Sequence, residues 1–500
     1  VFAAIATICN SLVNLSAPLL IAYIVDTYIA VGIFDGMLNY AFILFLLYCA
    51  GMFTSYAQTR LMGGVGQRFM FNVRARIFNK LQELPVAFFN ANKTGDLISR
   101  INNDTDKLNM FFSQTLVQFV GSLVIMFGAA VFLLSINLRL GSAALLPAVL
   151  LLIFTRLVSP WVKSRNAEAL AAIGGLSAEV SESLNNFKVI VAFNRRDFFR
   201  ERFALANNAN YNKAIRAGIA NNMFTPVFDL LSNLAQLTVL VYGIHLITTG
   251  NLTMGLLIGY LAYVANFYQP LRQLAALWAN FQVALASWDR ISSLLQMKNN
   301  MSVLPHQTSA SGETDSLLEF SDESFRYTED QEILHKVNIS LKRGNTYALV
   351  GPTGGGKTTT ASLMARLYDP TEGTILLNGK DIRSYEAGER AGKIGFILQE
   401  PALFSGTVRD NILYGNEIHA GLSNEALEQV LQDAGLATLL VRFDGGLNAA
   451  VATTGDALSL GQKQLIAFMR AVLRDPELLI LDEATANIDT VTEQLLEAIL

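Results

Sequence analysis

Before residue 300 the sequence carries six apolar stretches, and no other feature constrains the fold as strongly. They lie near 1–25, 38–58, 112–136, 139–160, 223–247 and 254–282. A helix crosses a bilayer with about 20 predominantly apolar residues, and each stretch meets that length. Buried core helices of a soluble protein rarely run so long or recur so often. The composition agrees: 16% of residues are charged, against about 25% in an ordinary soluble chain, and the deficit is concentrated before residue 300.

Loop charge gives the orientation. The links at 26–37 and 248–253 hold no Lys or Arg, and the link at 135–139 holds only Arg139. The first long connection carries Arg60, Arg68, Arg74, Arg76, Lys80, Lys93, Arg100 and Lys107, and the second is as basic, from Lys163 to Arg216. Positive loops stay in the cytoplasm, so both long connections and both ends of the domain belong there. Their helical pattern predicts that the spans continue into the cytoplasm as rods. On the fifth span Asn222, Thr225, Asp229, Asn233 and Gln236 recur at helical spacing, which suits either a translocation cavity or helix–helix contact. Tyr260, Tyr263 and Phe267 on the sixth span would line the same cavity or pack ordinarily.

Other bulk features exclude more than they assign. A net charge of -4 gives no reason to expect nucleic acid. Cys9 and Cys49 lie in apolar runs without disulfide or metal spacing. The chain opens inside an apolar run without Met, so no signal peptide can be judged, and both ends are expected to be trimmed.

Residues 296–316 are polar and aperiodic and read as a linker. The expected domains are therefore a membrane part at 1–295, this linker, and an α/β part at 317–500. In the α/β part Thr346–Val350 is a strand candidate that runs into Gly351-Pro-Thr-Gly-Gly-Gly-Lys-Thr358 and a helical pattern. This is GxxxxGK[ST] in its strand–loop–helix setting, a P-loop. Gly351, Pro352, Thr353, Gly354, Gly355, Gly356, Lys357, Thr358 and Thr359 form the candidate nucleotide site. The backbone would close around phosphate, Lys357 would reach the β- and γ-phosphates, and Thr358 would ligate Mg²⁺. Leu478–Leu481 reads as a strand buried on both faces that delivers Asp482 to the metal and Glu483 to the attacking water as general base. Gln399 ends another strand, where it could reach Mg²⁺ and the water or be a bland strand end. Tyr327 could stack on a nucleobase or be a core tyrosine. Ser459 and Gln462 have capping-box spacing at a helix start that favours an anion.

Together these residues resemble the ATP-binding cassette (ABC) transporter family in its exporter form, over essentially the whole chain. The resemblance implies a six-helix all-α transmembrane domain with long cytoplasmic extensions, fused to an α/β P-loop NTPase domain. Tyr327 matches the adenine-stacking aromatic, Gly351–Thr358 Walker A, Gln399 the Q-loop, Leu478–Asp482 Walker B, Glu483 the catalytic glutamate and Ala486–Asp489 the D-loop. ALSLGQKQ at 457–464 stands at the signature, so Ser459, Gly461 and Gln462 would contact ATP held by a partner's nucleotide domain. Short helices near Phe88–Thr94 and Phe187–Phe193 would dock on the nucleotide domains. The implied function is ATP-driven export of a small amphipathic or hydrophobic substrate (drug, lipid or peptide) by alternating access. Its requirements are ATP and Mg²⁺, a lipid bilayer, a bacterial inner membrane and a second half-transporter, with the nucleotide domain in the cytoplasm.

Three positions depart from the family. Leu460 replaces the first signature glycine, Thr453 and Thr454 replace an acidic and a basic residue, and no His follows Asp489. The last is expected to reflect truncation. The altered signature beside complete Walker motifs favours a heterodimer over a homodimer. An ATP-gated channel or regulatory subunit on the same scaffold is the competing class. A soluble ATPase acting on DNA is excluded by the spans.

Overall fold

A computed structural model describes residues 2–299, 301, 303–305, 316–329, 331–452 and 458–482, together with 493, 494, 496 and 499. The chain forms two compact units, Val1–Lys80 with Gly95–Gln296, and Leu81–Thr94 with Met297–Leu500.

The first unit is helical throughout its described residues. Helix α1 spans Phe2–Ile24 and α2 Met37–Glu83, and the chain then passes through the tip helix α3, Val86–Ala91, which belongs to the second unit. A long rod α4 runs Thr94–Ile136, with π-helical stretches at Arg100–Asp104 and Phe111–Thr115. Then come α5 (Leu138–Asn185), α6 (Phe187–Ala192), α7 (Arg196–Asn222), α8 (Phe224–Thr248) and α9 (Met254–Leu295). The 47- and 48-residue lengths of α2 and α5 exceed any bilayer crossing, so apolar spans do continue as rods.

Five helices among the described residues are long and apolar enough to cross a membrane: Phe2–Ile29, Met37–Glu83, Thr94–Ile136, Leu138–Asn185 and Arg196–Thr248. The sixth expected span falls on α9, which carries Asn266, Gln269, Arg272, Gln273 and Asn280 and is not among the five. Short helices occupy both connection tips. The first begins two residues before the expected Phe88 and ends before Thr94, and the second begins at the expected Phe187.

Packing in this unit is anchored by tyrosines. Tyr260 and Tyr263 on α9 are fully buried, and their hydroxyls donate to Leu133 O (2.5 Å) and Leu15 O (2.6 Å). A buried phenol needs such a partner, and a helix carbonyl supplies it. These rings are therefore core, and the cavity-lining alternative is set aside for them. The start of α9 is fixed by Asp26, which accepts from Thr253 Oγ1 (2.5 Å) and Gly255 N (2.7 Å). A Cβ on Gly255 would lie 2.1 Å from Ala22 O, so only glycine permits that approach. Further along, Arg290 on α9 grips the buried Asp104 of α4 through Nε (2.8 Å) and Nη2 (2.5 Å). This fork geometry binds both carboxylate oxygens at once. On the fifth-span stripe, Asp229 pairs with Arg272 of α9 at 3.4 Å.

The second unit combines a sheet-based and a helical part. Strands β1 (Ser316–Thr328), β2 (Gln331–Lys342), β3 (Glu372–Leu377) and β4 (Lys380–Asp381) form an antiparallel sheet in the order β2-β1-β3-β4. In its register Phe320 opposes Ile339 and Phe325 opposes Leu334. Helix α10 (Lys357–Met364) and the parallel pair β5 (Ile394–Ile397) and β6 (Leu478–Leu481) share that core. A second core gathers α11 (Val408–Ile412), α12 (Asn424–Asp433) and α13 (Leu460–Val472).

Two strand expectations change. Thr346–Val350 is not a strand: it has no regular secondary structure, Val350 is 89% exposed, and no described strand pairs with it. Without a ladder, its apolar residues cannot make a strand. The Leu478–Leu481 strand forms, but only Ile480 is fully buried, because β5 flanks it on one edge alone. Residues 300, 302 and 306–315 of the expected linker lie outside the described residues, as do Thr453, Thr454, Glu483 and Ala486–Asp489.

Candidate functional site

The P-loop wraps back on itself. Gly354 and Gly356 take φ values of 83° and 81°, the left-handed region where glycine carries no Cβ penalty. A Cβ at Gly356 would also lie 2.6 Å from the Leu334 side chain. The loop opens the N-terminus of α10, so free backbone N–H groups and the positive end of the helix dipole face the loop. Lys357 Nζ donates to Gly351 O and Pro352 O, both at 3.0 Å, and so bridges its own loop. Thr353, Gly355 and Thr359 complete the loop and the first helical turn.

Walker A meets Walker B at one contact. Thr358 Oγ1, in the first turn of α10, donates to Asp482 Oδ1 at 3.2 Å. Asp482 is set at the end of β6, and its N donates to Ile397 O of β5 at 3.0 Å. Two residues beyond Ile397 stands Gln399, exposed at the end of that strand. A hydroxyl and a carboxylate oxygen on a rigid helix and strand are the hard donors that Mg²⁺ takes, with phosphate and water filling its octahedron. The donor set therefore fits that ion. Glu477, at the other end of β6, receives Lys393 Nζ (2.5 Å), Arg343 Nη2 (3.1 Å) and Asn378 Nδ2 (3.0 Å). The Lys393 bond, foremost, holds its carboxyl below the usual range.

Tyr327 lies at the far side of the loop, 50% exposed, with its hydroxyl 3.2 Å from Thr359 Oγ1. Phe325 and Tyr368 brace it edge-on, with ring centroids at 4.8 and 5.2 Å. Edge-to-face bracing leaves a π face available to a base.

The signature segment forms a complete capping box. Ser459 Oγ accepts from Gln462 N (3.2 Å), and Gln462 Oε1 accepts from Ser459 N (2.9 Å). Gln462 Nε2 donates onward to Arg442 O at 2.9 Å. Gly461 stands in the first turn, and the Leu460 side chain is 41% exposed.

The transmembrane half, residues 1–271, matches the family model of the ABC transporter transmembrane region, and residues 334–486 match a second family model, that of the ABC transporter. The chain belongs to the ABC transporter family. The transporter is 30% identical over 97% of its length to an uncharacterized ABC transporter ATP-binding protein of Bacillus subtilis, of which it covers 80%. It is 32% identical over 90% of its length to a fatty acid ABC transporter ATP-binding/permease protein of Mycobacterium bovis, covering 70% of that protein. Its fold matches a bacterial Atm1-family ABC exporter with ATP bound, with a TM-score of 0.79, 24% identity and 99% of this chain and 88% of that one covered. It is an integral membrane protein of exporter type, with an ATP-binding domain coupled to transport.

Sequence reasoning missed two residues of this site. Tyr368 sits in the ARLYDP segment without periodicity to mark it. Asn90, on α3, donates to its hydroxyl at 2.6 Å from 278 residues away. No local pattern signals such a pair.

Proposed function

We propose that this transporter is one half of an ATP-driven exporter that moves an amphipathic or hydrophobic cargo by alternating access. The 3.2 Å approach of Thr358 to Asp482, beside a P-loop already closed by Lys357, carries the reading. Residues 1–295 would form the transmembrane domain, 296–316 the linker and 317–500 the nucleotide-binding domain.

In this mechanism the P-loop amides and the α10 N-terminus hold the phosphates of ATP. Lys357 exchanges its two carbonyl partners for the β- and γ-phosphates, and Tyr327 stacks on adenine. Thr358 and Asp482 would hold Mg²⁺, with Gln399 near it, and the ion would supply positive charge to the phosphate oxygens. Glu483 takes the proton of the attacking water. Ser459, Gly461 and Gln462 face ATP in a partner's Walker site. Their capping box presets the helix terminus, so little order is lost on contact. The exposed apolar side chains of α6, Phe187 and Val189, with Phe193 beyond it, suit docking on a nucleotide domain.

The fatty acid relative supports an amphipathic cargo. A heterodimer is the preferred assembly, because Leu460 alters one signature while the Walker residues are complete. The test is ATPase and vesicle transport by the protein in its native membrane assembly, with Glu483→Gln as comparison. ATP binding retained with turnover reduced at least ~100-fold, about 2.7 kcal/mol of barrier, supports the assignment. Full turnover in the variant refutes it. Native mass spectrometry of the same preparation separates twice the chain mass from two different chains.

A further inference from the structure

A cavity of about 430 Å³ opens in the helical unit between α1, α2, α4 and α9. That volume lies in the range of small-molecule sites. Its polar lining includes Asn10, Gln58, Gln118, Gln273 and Asn280, with the hydroxyls of Thr7, Ser11 and Ser122. No Asp, Glu, Lys, Arg or His lines it. The nearest charge along α9, Arg272, is engaged by Asp229.

Gln58, Gln118, Gln273 and Asn280 stand towards the ends of their apolar stretches that adjoin the basic connections or the linker, and Asn10 lies in the first half of α1. Polar groups at membrane depth are costly against lipid and mark the bundle interior or a wet cavity. Asn10 Nδ2 donates to Gln58 Oε1 at 3.2 Å, which ties α1 to α2 at the cavity wall. Thr7 and Ser11 donate to their own helix, to Ala3 O and Thr7 O, so their oxygens remain available as acceptors. Among the described residues, no hydrogen bond engages the Gln118, Gln273 or Asn280 amides. Each offers both donors and an acceptor to whatever fills the cavity. Val117, Ile125 and Leu277 supply an apolar side.

From this lining we infer that the cavity binds an uncharged amphiphile whose head carries several hydroxyl or amide groups, and that this is the cargo class of the exporter. The inference rests on the exporter reading. The physical reason is the match of charge and hydrogen bonding between lining and head group. A carboxylate or ammonium bound here meets no counter-charge among the lining residues. A neutral polyol head exchanges its water hydrogen bonds for amide ones at little net cost. A free fatty acid would find no cation here, so the class differs from the one that names the mycobacterial relative. The position of the amides puts loading on the cytoplasmic side.

The experiment uses the full-length protein in lipid nanodiscs and three probes with one tail: dodecyl maltoside, laurate and dodecyltrimethylammonium, all below micellar concentration. A dodecyl maltoside with a photoreactive tail is crosslinked without ATP, and labelled peptides are mapped by mass spectrometry. The inference expects labels on 117–125 or 273–280. It expects competition by dodecyl maltoside at concentrations ~10-fold lower than by either ionic probe, a factor worth about 1.4 kcal/mol. Gln118→Leu with Asn280→Leu should weaken that competition ~10-fold, as expected for about 1.4 kcal/mol of lost hydrogen bonding. Gln118→Glu should move the preference to dodecyltrimethylammonium, which shows that the cavity is still folded. Labels elsewhere, equal competition by the three probes, or no response to either substitution overturns the inference. Loss of ATP turnover in Glu483→Gln is read separately, so failure of the exporter reading is distinct from failure of the cargo class.

Discussion

Asn90 Nδ2 donates to the Tyr368 hydroxyl at 2.6 Å, and the Tyr368 ring stands edge-on against Tyr327. The tip helix α3 is thereby joined, through one hydrogen bond and one aromatic contact, to the ring expected to stack on adenine. Tyr368→Phe keeps the ring and removes the acceptor, a loss of about 1 kcal/mol. The expected outcome is ATP affinity within ~2-fold of wild type and a ~5-fold drop in cargo-stimulated ATPase, since 1 kcal/mol is about that factor. Tyr368→Ala, which also removes the brace on Tyr327, should weaken ATP binding. Nucleotide titration beside stimulated ATPase checks both. Unchanged stimulation in Tyr368→Phe means that the bond only positions α3.

Thr358 and Asp482 are assigned to Mg²⁺, and the assignment has its own signature. Thr358→Val preserves shape and removes the oxygen. Turnover should fall at least ~100-fold, about 2.7 kcal/mol, and the magnesium concentration needed for half activity should rise. A fall in turnover with an unchanged magnesium requirement would place Thr358 outside the metal site.

Leu460 occupies the first helical position after the Ser459 cap, and the capping box closes without it. Glycine there costs the helix at most about 1 kcal/mol. If the bulky side chain keeps phosphate from the signature backbone, Leu460→Gly raises ATPase in the assembled transporter. Steady-state ATPase decides, and an unchanged rate marks Leu460 as tolerated.

Glu323 gives a pH prediction. It is fully buried in β1 between Phe320 and Phe325, and neither carboxylate oxygen has a hydrogen-bond partner among the described residues. Burial pushes its pKa up to about 7. The folded state thus holds a proton that the unfolded chain releases near pH 4.3. Stability is fully present below about pH 4.3 and falls as pH rises towards 7. The size of the effect is at most about 4 kcal/mol, from 1.36 kcal/mol per pKa unit. Glu323→Gln should remove the pH dependence. Thermal unfolding of the intact protein at pH 5 and pH 8 measures it, and equal slopes in both proteins would sink the idea.

How far the sequence could be read depended on the range of the interactions. The P-loop was legible because glycines at fixed spacing before a Lys-Thr pair encode a local backbone shape. The Ser459 capping box was legible for the same reason: its four residues satisfy one another. Rods longer than a bilayer followed from apolar stretches flanked by helical pattern. Thr346–Val350 misled, because an apolar run becomes a strand only when a neighbour completes its ladder.

Sequence by itself therefore determined the family, the membrane and nucleotide halves, and the residues of the phosphate loop, all of which rest on local spacing or on the cost of apolar surface in water. Tertiary structure decided which polar groups meet. Tyr260 and Tyr263 became core because backbone carbonyls of other helices lay within reach of their hydroxyls. Asp229 found Arg272. The amides of Asn10, Gln58, Gln118, Gln273 and Asn280 converged on one cavity from four helices. Periodicity assigns a residue to a face of its own helix, but only packing decides what that face meets.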